Sequence, residues 1–498
     1  MKFSSAGFLL IGLSIPLFAQ PQTTNFHKAY GPRFQRRDVT KAATARRPVD
    51  AVHRWNQVAL DATGLDHTPV QPGENRVFGE QFGPGRASRA MAIVHIAIAD
   101  AVSAITRKFQ SYTGVQSTQV PVSMNAAIAQ AAHDALVALY PSQKDTFDSD
   151  LATDLAAIKN QRAKNNGVAL GQQVASALLA LRAGDGSEIP DPVLGVDWFT
   201  SDEPGHWRQD PIGQQPIALG AHWGECKPFV LASSDQFRVP APPDMTSDDY
   251  TVAYNEVKSL GGDGIVTPTD RTDDQTFIGI FWAYDGTPSL CAPPRLYNQI
   301  TVQLADQKRL NIVDLARLLA LMNTAMADAG FAVWESKYYW DFWRPIGGIR
   351  ESDPGTGKTG KGDGNPDTIG DVNFTPLGAP ASNLTGPNFT PPFPSYPSGH
   401  AGFGGAIFQT LRRFFGIDNI TFTFVSDEFN GITKDNQGNV RPYMPRTFTS
   451  FSQAEDENGQ SRIYLGIHWS FDKVQGIAQG EQVANYVFDH AFIPLHGK

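Results

Sequence analysis

Three short clusters in the second half of the chain carry residue types that do chemistry when brought together. The first is Lys337-Tyr-Tyr-Trp-Asp-Phe-Trp-Arg344-Pro345. Lys337 and Arg344 stand seven residues apart, two helical turns, so one helix would present both on the same side. Pro345 then limits continuation of that helix. Trp334, Tyr338, Tyr339, Trp340, Phe342 and Trp343 surround the two cations, which argues against a merely solvated pair. The second cluster is Pro397-Ser398-Gly399-His400, where a loop ends and a helix opens at His400. Backbone N–H groups at a helix start favour an anion. Gly399 lets the backbone approach closely, and Ser398 adds a hydroxyl, although a simple N-cap needs the same serine. The third cluster is Ser461-Arg462, followed by His468 and Asp472. On a helix, His468 and Asp472 would be i and i+4, so the carboxylate can orient the imidazole.

Together these clusters supply three cations, a hydroxyl, a glycine backbone and two histidines. That inventory suits a tetrahedral oxyanion of high charge. Arginines donate paired hydrogen bonds to its oxygens, and Lys337 serves as a compact charge. One histidine can bond the central atom and the other can shuttle protons.

Helices must position these residues, and the hydrophobic periodicity supplies them. Helical patterns cover 52–62, 89–109, 124–140, 146–159 and 167–183. A Trp- and Pro-rich connection follows over 185–245. Helices resume at 247–260, 273–284, 294–307 and 311–336, the last being the longest. Residues 355–397 read as a surface excursion. A helix follows at 400–415, and 461–490 reads as two helices joined at a turn. Strand pairing is expected only as short hairpins near 420–450. The fold class is mainly α: two helical bundles, 20–245 and 246–498, the second carrying the site. The first half is expected to be structural.

The chain has 498 residues, 41% hydrophobic and 18% charged, as a globular protein requires. A net charge of −9 with no basic run argues against nucleic-acid binding, so dense positive charge must sit inside a pocket. At the N-terminus, Lys2, an apolar run over 7–18 and Ala19 read as a signal peptide over 1–19, for a secreted or periplasmic protein. The run is too short for a membrane span, and no other stretch reads as one. Residues 20–50, with Arg36, Arg37, Arg46 and Arg47, read as an exposed arm or covering segment. Cys226 and Cys291 allow one disulfide or two buried thiols. Asn373, Asn383, Asn388 and Asn419 stand in glycosylation sequons.

The pattern K-x6-R-P, P-S-G-H, S-R-x5-H-x3-D resembles the signature shared by vanadium-dependent haloperoxidases and type 2 phosphatidic-acid phosphatases. The resemblance runs from about Trp282 to Asp472, and more weakly upstream. It implies that Lys337, Arg344, Ser398, Gly399 and Arg462 hold the oxygens of vanadate, with His468 as the axial ligand of vanadium. It implies that His400 is the acid/base for the protons of hydrogen peroxide and that Lys337 polarises the peroxide. Asp285, in Phe-Trp-Ala-Tyr-Asp-Gly, resembles an acid that supports the distal arginine in fungal chloroperoxidases.

Both activities use the same cage. A phosphatase would use His468 as a nucleophile towards phosphorus and pass through a phosphohistidine. A haloperoxidase would use peroxide to oxidise a halide to hypohalous acid, which halogenates diffusible organic acceptors. The flanks resemble the haloperoxidases: Trp334 three residues before Lys337, the Phe-Trp-Arg-Pro run, and Pro-Pro-Phe-Pro-Ser-Tyr-Pro-Ser-Gly-His. The membrane phosphatases of the superfamily have several spans, and its soluble acid phosphatases are about half this length. Phe393 stands where bromoperoxidases generally carry histidine and chloroperoxidases phenylalanine. With Trp334, it implies competence towards chloride, with bromide also oxidised. The other reading, that both rings merely pack, stays open. A storage protein that binds an anion without turnover would have no need of His400.

Overall fold

The computed structural model describes residues 50–117, 120–287, 289–378, 389–434 and 440–495. The signal peptide over 1–19, the basic arm up to residue 49, and the sequons at Asn383 and Asn388 lie outside these residues. Asn373 and Asn419 are exposed.

The fold is mainly α. The first half contributes α1 (Ala51–Asp66), α2 (Gly83–Thr106), α3 (Met124–Leu139), α4 (Lys144–Ala156) and α5 (Gln161–Arg182). Side chains close the exposed N–H groups at three of these starts: Asp50 on α1, Ser123 on α3 and Asn160 on α5. The second half contributes α6 (Asp248–Leu260), α7 (Asp273–Phe281), α8 (Pro293–Lys308), α9 (Ile312–Trp340), α10 (Pro345–Glu351), α11 (Gly399–Phe415), α12 (Phe451–Tyr464) and α13 (Ser470–His490). A short hairpin, β1 (Phe422–Phe424) against β2 (Arg446–Phe448), pairs Phe422 with Phe448 in antiparallel register. It falls where the sequence suggested one.

The longest helix, α9, is the axis of the molecule. It packs against α2 from the first half and against α11 and α13 from the second. One apolar core therefore runs through both halves. A smaller aromatic core, including Tyr250, Tyr254, Trp343 and Trp469, lies beside the site residues. Helices α11 and α13 touch through glycines. A Cβ on Gly480 would lie 2.1 Å from the Gly402 carbonyl, and one on Gly476 would lie 2.7 Å from the Ser398 carbonyl.

Three sequence expectations are corrected. Helix α2 is long and apolar enough to cross a bilayer, contrary to the reading that no such stretch exists, but it lies buried in the core. Helix α12 begins at Phe451, ten residues before the expected start at 461. Its first turns bury small or polar residues, Ala454, Glu455, Asn458 and Gly459, and so show no apolar stripe. Helix α9 continues to Trp340 instead of stopping at 336. Of the two states open to the cysteines, Cys226 and Cys291 adopt the unbridged one, as buried thiols.

Candidate active site

The end of α9 brings in the first two cations, but not as one helical face. Asp341 adopts a left-handed conformation, φ 48°, and stops the helix. The chain then runs to Arg344, which is the N-cap of α10. The heptad spacing of Lys337 and Arg344 thus brings them together through a helix break. Lys337 is fully buried. Its ammonium donates to the carbonyls of Pro394 at 2.9 Å, Ser395 at 2.7 Å and Pro397. Arg344 donates from Nε to the Phe393 carbonyl and from Nη1 to the Ile467 carbonyl, both at 2.9 Å. The 393–397 segment is thereby wrapped around the two cations.

The second cluster opens α11. Ser398 is the N-cap, and its Oγ accepts from the Ala401 N–H. Gly399 begins the helix, one residue before the expected His400. A Cβ on Gly399 would lie 3.2 Å from the Trp334 ring, so the backbone and that ring are already close. His400 Nε2 donates to the Ala283 carbonyl at 2.7 Å. A carbonyl only accepts, so neutral His400 carries its proton on Nε2 and keeps a lone pair on Nδ1.

The third cluster is split between two helices. Arg462 lies in the last turn of α12, and its two terminal nitrogens donate to Asp285 at 3.1 and 2.7 Å. His468 lies in the connection before α13 and not on the helix, which corrects the i, i+4 argument. Asp472, in the first turn of α13, nevertheless accepts from His468 Nδ1 at 2.7 Å and from the Trp469 N–H at 3.1 Å. Ser395 Oγ donates to the same carboxylate oxygen. Arg344 Nη1 donates to His468 Nε2 at 2.9 Å. Both bonds require the same tautomer: the proton on Nδ1 and the lone pair on Nε2.

Lys337, Arg344, Arg462, Ser398 and His468 are all at most 3% exposed. Among the described residues, three buried cations face two carboxylates, Asp285 and Asp472, with the Asp285 side chain itself largely buried. The titration behaviour follows. Burial, then the neighbouring Arg344, pushes Lys337 well below its ordinary value. Burial pushes Arg344 down to about 9. Burial, reinforced by Arg462 at His400 and by Arg344 at His468, holds both imidazoles neutral. Burial also pushes Asp472 up to about 6 and raises Asp285 against the pull of Arg462. The lowered values of the cations and imidazoles are those of a buried pocket short of negative charge, which an anion relieves, whereas the two carboxylates rise through burial.

Two donors test what fits. Arg344 Nη2 and Arg462 Nε are buried with no hydrogen-bond partner among the described residues. Orphaned guanidinium N–H groups are costly, and anionic oxygens satisfy them. Among the described residues no group of three His, Cys, Asp or Glu is arranged for a bare metal cation. The donor set therefore fits an oxyanion whose central atom takes one nitrogen, His468 Nε2.

A cavity of about 460 Å³ reaches the cage, with Asp285, Gly399, His400, Arg462 and His468 lining one part of it. Trp334 and Phe393 also line it, their ring centroids 5.0 Å apart. The Lys337 ammonium lies 5.8 Å from the Trp334 ring centre and 5.2 Å from that of Phe393. Lys337, Arg344, Ser398, Gly399, His400, Arg462, His468 and Asp472, together with Asp285, Trp334 and Phe393, meet at this place, whereas Tyr339 is exposed and Ser461 bonds back to the Asn458 carbonyl. Sequence reasoning missed the carbonyls of Ala283, Phe393, Pro394 and Pro397, which carry no side-chain signal. It also missed Ser395, whose place three residues before Ser398 was the available clue. The first half also contributes to the cavity wall, through His67, Phe82 and Pro84.

Comparison with known proteins agrees with this geometry. Residues 317–497 match the family model described as the VCPO second helical-bundle domain. The chain is 30% identical to the vanadium chloroperoxidase of Curvularia inaequalis, over 84% of this chain and 78% of that protein. Its fold is shared with a bacterial vanadium-dependent iodoperoxidase, at TM-score 0.68 and 24% identity, covering 91% of this chain and 99% of the other. It is shared also with the holo form of a bacterial vanadium-dependent chloroperoxidase, at TM-score 0.60 and 15% identity, covering 87% and 97%. Identity at that level across most of both chains, joined to a complete cage, means that the chain belongs to the vanadium-dependent haloperoxidase family.

Proposed function

We propose that this protein is a vanadate-dependent peroxidase that uses hydrogen peroxide to oxidise chloride and bromide to hypohalous acid, and that it is exported from the cytoplasm. The observation that carries the reading is the buried cage: orphaned arginine donors beside a histidine whose Nε2 lone pair is fixed by Asp472. Lys337, Arg344, Ser398, Gly399 and Arg462 would hold the oxygens of vanadate, and His468 Nε2 would bond vanadium. Bound vanadate supplies Lewis acidity that activates peroxide towards a halide with no change in its own oxidation state.

The protein's residues do the rest. Asp472 keeps His468 in the binding tautomer. Asp285 braces Arg462, so the guanidinium need not reorganise as charge moves. Lys337 places a desolvated positive charge at the site, where negative charge on peroxide oxygen is stabilised. His400, anchored through Nε2 to Ala283, accepts a peroxide proton at Nδ1 and returns it to the departing oxygen. Peroxide, halide and one proton thus give hypohalous acid and water. Trp334 and Phe393 present apolar faces beside the cations, so a halide entering there loses water, and this supports competence towards chloride. Export rests on the signal-like segment over 1–19, and a mature chain starting at Gln20 would support it.

The test is a pair of assays on metal-free protein. Adding orthovanadate should switch on peroxide-dependent halogenation of a dissolved organic acceptor, with chloride and with bromide. Hydrolysis of p-nitrophenyl phosphate without vanadate should stay negligible. Robust hydrolysis with no vanadate-dependent halogenation would overturn the reading in favour of a phosphatase working through His468.

A further inference from the structure

We infer that the chamber beside the cage is a binding site for a planar aromatic acceptor bearing an O–H or N–H donor, which is halogenated while bound. This inference rests on the haloperoxidase reading for its chemistry, but not for its geometry. Size is the first argument. Peroxide and a halide each need space on the order of one or two waters, at roughly 30 Å³ per water. The cavity holds about 460 Å³, within the range of about 300–1,000 Å³ that accommodates small organic ligands.

The walls are the second argument. Phe78, Phe82, Trp334, Phe389, Phe393 and Phe403 all line the chamber. Trp334 and Phe393 beside the cations serve the halide, but the four further rings exceed what an ion needs, whereas flat rigid side chains bury and orient a planar ring. Phe78 and Phe82 come from the connection between α1 and α2, so the first half closes a chamber whose reactive end belongs to the second.

The third argument is polar. Gln215 lines the chamber, and its side-chain carbonyl oxygen is buried with no donor among the described residues. Gly213 makes room for it: a Cβ there would lie 2.8 Å from both the Gln215 amide and the Phe389 Cβ. A buried acceptor repels a halide and calls for a donor. A phenol or indole supplies that donor together with an electron-rich ring. The step balances. Hypohalous acid transfers its halogen to a ring carbon as the O–X bond breaks. The ring loses the proton from that carbon, and the released hydroxide takes it up as water. Hydrogen peroxide is the oxidant throughout.

The experiment uses 1-naphthol with the full-length protein. Fluorescence titration of vanadate-free protein should show saturable binding at one site per chain. Ile217 also lines the chamber; Ile217→Trp, which would fill it, should weaken binding about tenfold or more, and Gln215→Leu should weaken it by several-fold, about 1 kcal/mol. With vanadate, peroxide and bromide, the ortho-to-para product ratio should differ from that given by reagent hypobromous acid. In Ile217→Trp the ratio should return to the reagent value while peroxide-dependent triiodide formation is kept. Absence of saturable binding, or a wild-type ratio equal to the reagent's, would overturn the inference and leave the haloperoxidase reading intact. Binding that Ile217→Trp abolishes, in a protein that oxidises no halide, would support the site and overturn the haloperoxidase reading.

Discussion

His400 and His468 are both buried and neutral, yet their hydrogen bonds give them different duties. His468 offers Nε2 because Asp472 holds the Nδ1 proton; His400 offers Nδ1 because Ala283 holds the Nε2 proton. The substitutions should separate accordingly. His468→Ala should lose vanadate retention outright. His400→Ala should keep vanadate while halogenation falls by about 10²–10⁴-fold, and unchanged halogenation would remove His400 from the mechanism. Asp472→Asn tests the orienting bond. It should lower vanadate affinity by about 10–100-fold, measured by equilibrium dialysis, and wild-type affinity would show that the carboxylate serves only to cap α13.

At the scale of elements, the cage depends on how closely α11 meets α13. A Cβ on Gly476 would lie 2.7 Å from the Ser398 carbonyl, so the start of α11 can sit this close to α13 only because the residue there bears no side chain. Gly476→Ala should destabilise the fold by about 1–3 kcal/mol and also weaken vanadate retention, read by thermal unfolding and dialysis on one preparation. A loss of stability with unaltered retention would separate the interface from the site. Much of this arrangement was legible in the sequence. Periodicity located most of the helices, and the three clusters supplied the charged and imidazole groups of the cage except Asp285, which the family resemblance supplied. What was not legible has physical causes. The left-handed turn at Asp341 depends on how the chain packs after α9, so the spacing of Lys337 and Arg344 pointed to the right pair through the wrong geometry. The start of α12 buries Asn458 and Gly459 where a periodic pattern needs apolar residues. Backbone acceptors such as those of Ala283 and Pro394 exist in every residue, and only the fold selects them.

For the whole molecule, the contrast is between a net charge of −9 and an interior pocket short of negative charge. Binding and protonation are therefore linked. Among the protein's own groups, Arg344 is pushed down to about 9 and Lys337 lies well below its ordinary value, both first through burial. A bound polyanion raises both values. Around pH 8 to 9 the cage thus holds more protons with a polyanion bound than without, so vanadate affinity should fall as pH rises. Calorimetric titration in two buffers of different ionisation heat should show net proton uptake beyond that of vanadate itself. Proton release would contradict the electrostatic reading of the cage. Occupancy should also stabilise the fold, by about 2.7 kcal/mol at a hundredfold excess over Kd.

The most direct test sets vanadium stoichiometry against activity. Metal-free protein is titrated with orthovanadate, and bound vanadium after gel filtration and peroxide-dependent bromide oxidation are measured on the same samples. Both should rise together and stop at one vanadium per chain, and excess phosphate should depress both. One vanadium bound per chain without bromide oxidation, or bromide oxidation independent of vanadium, would contradict a vanadate-dependent haloperoxidase.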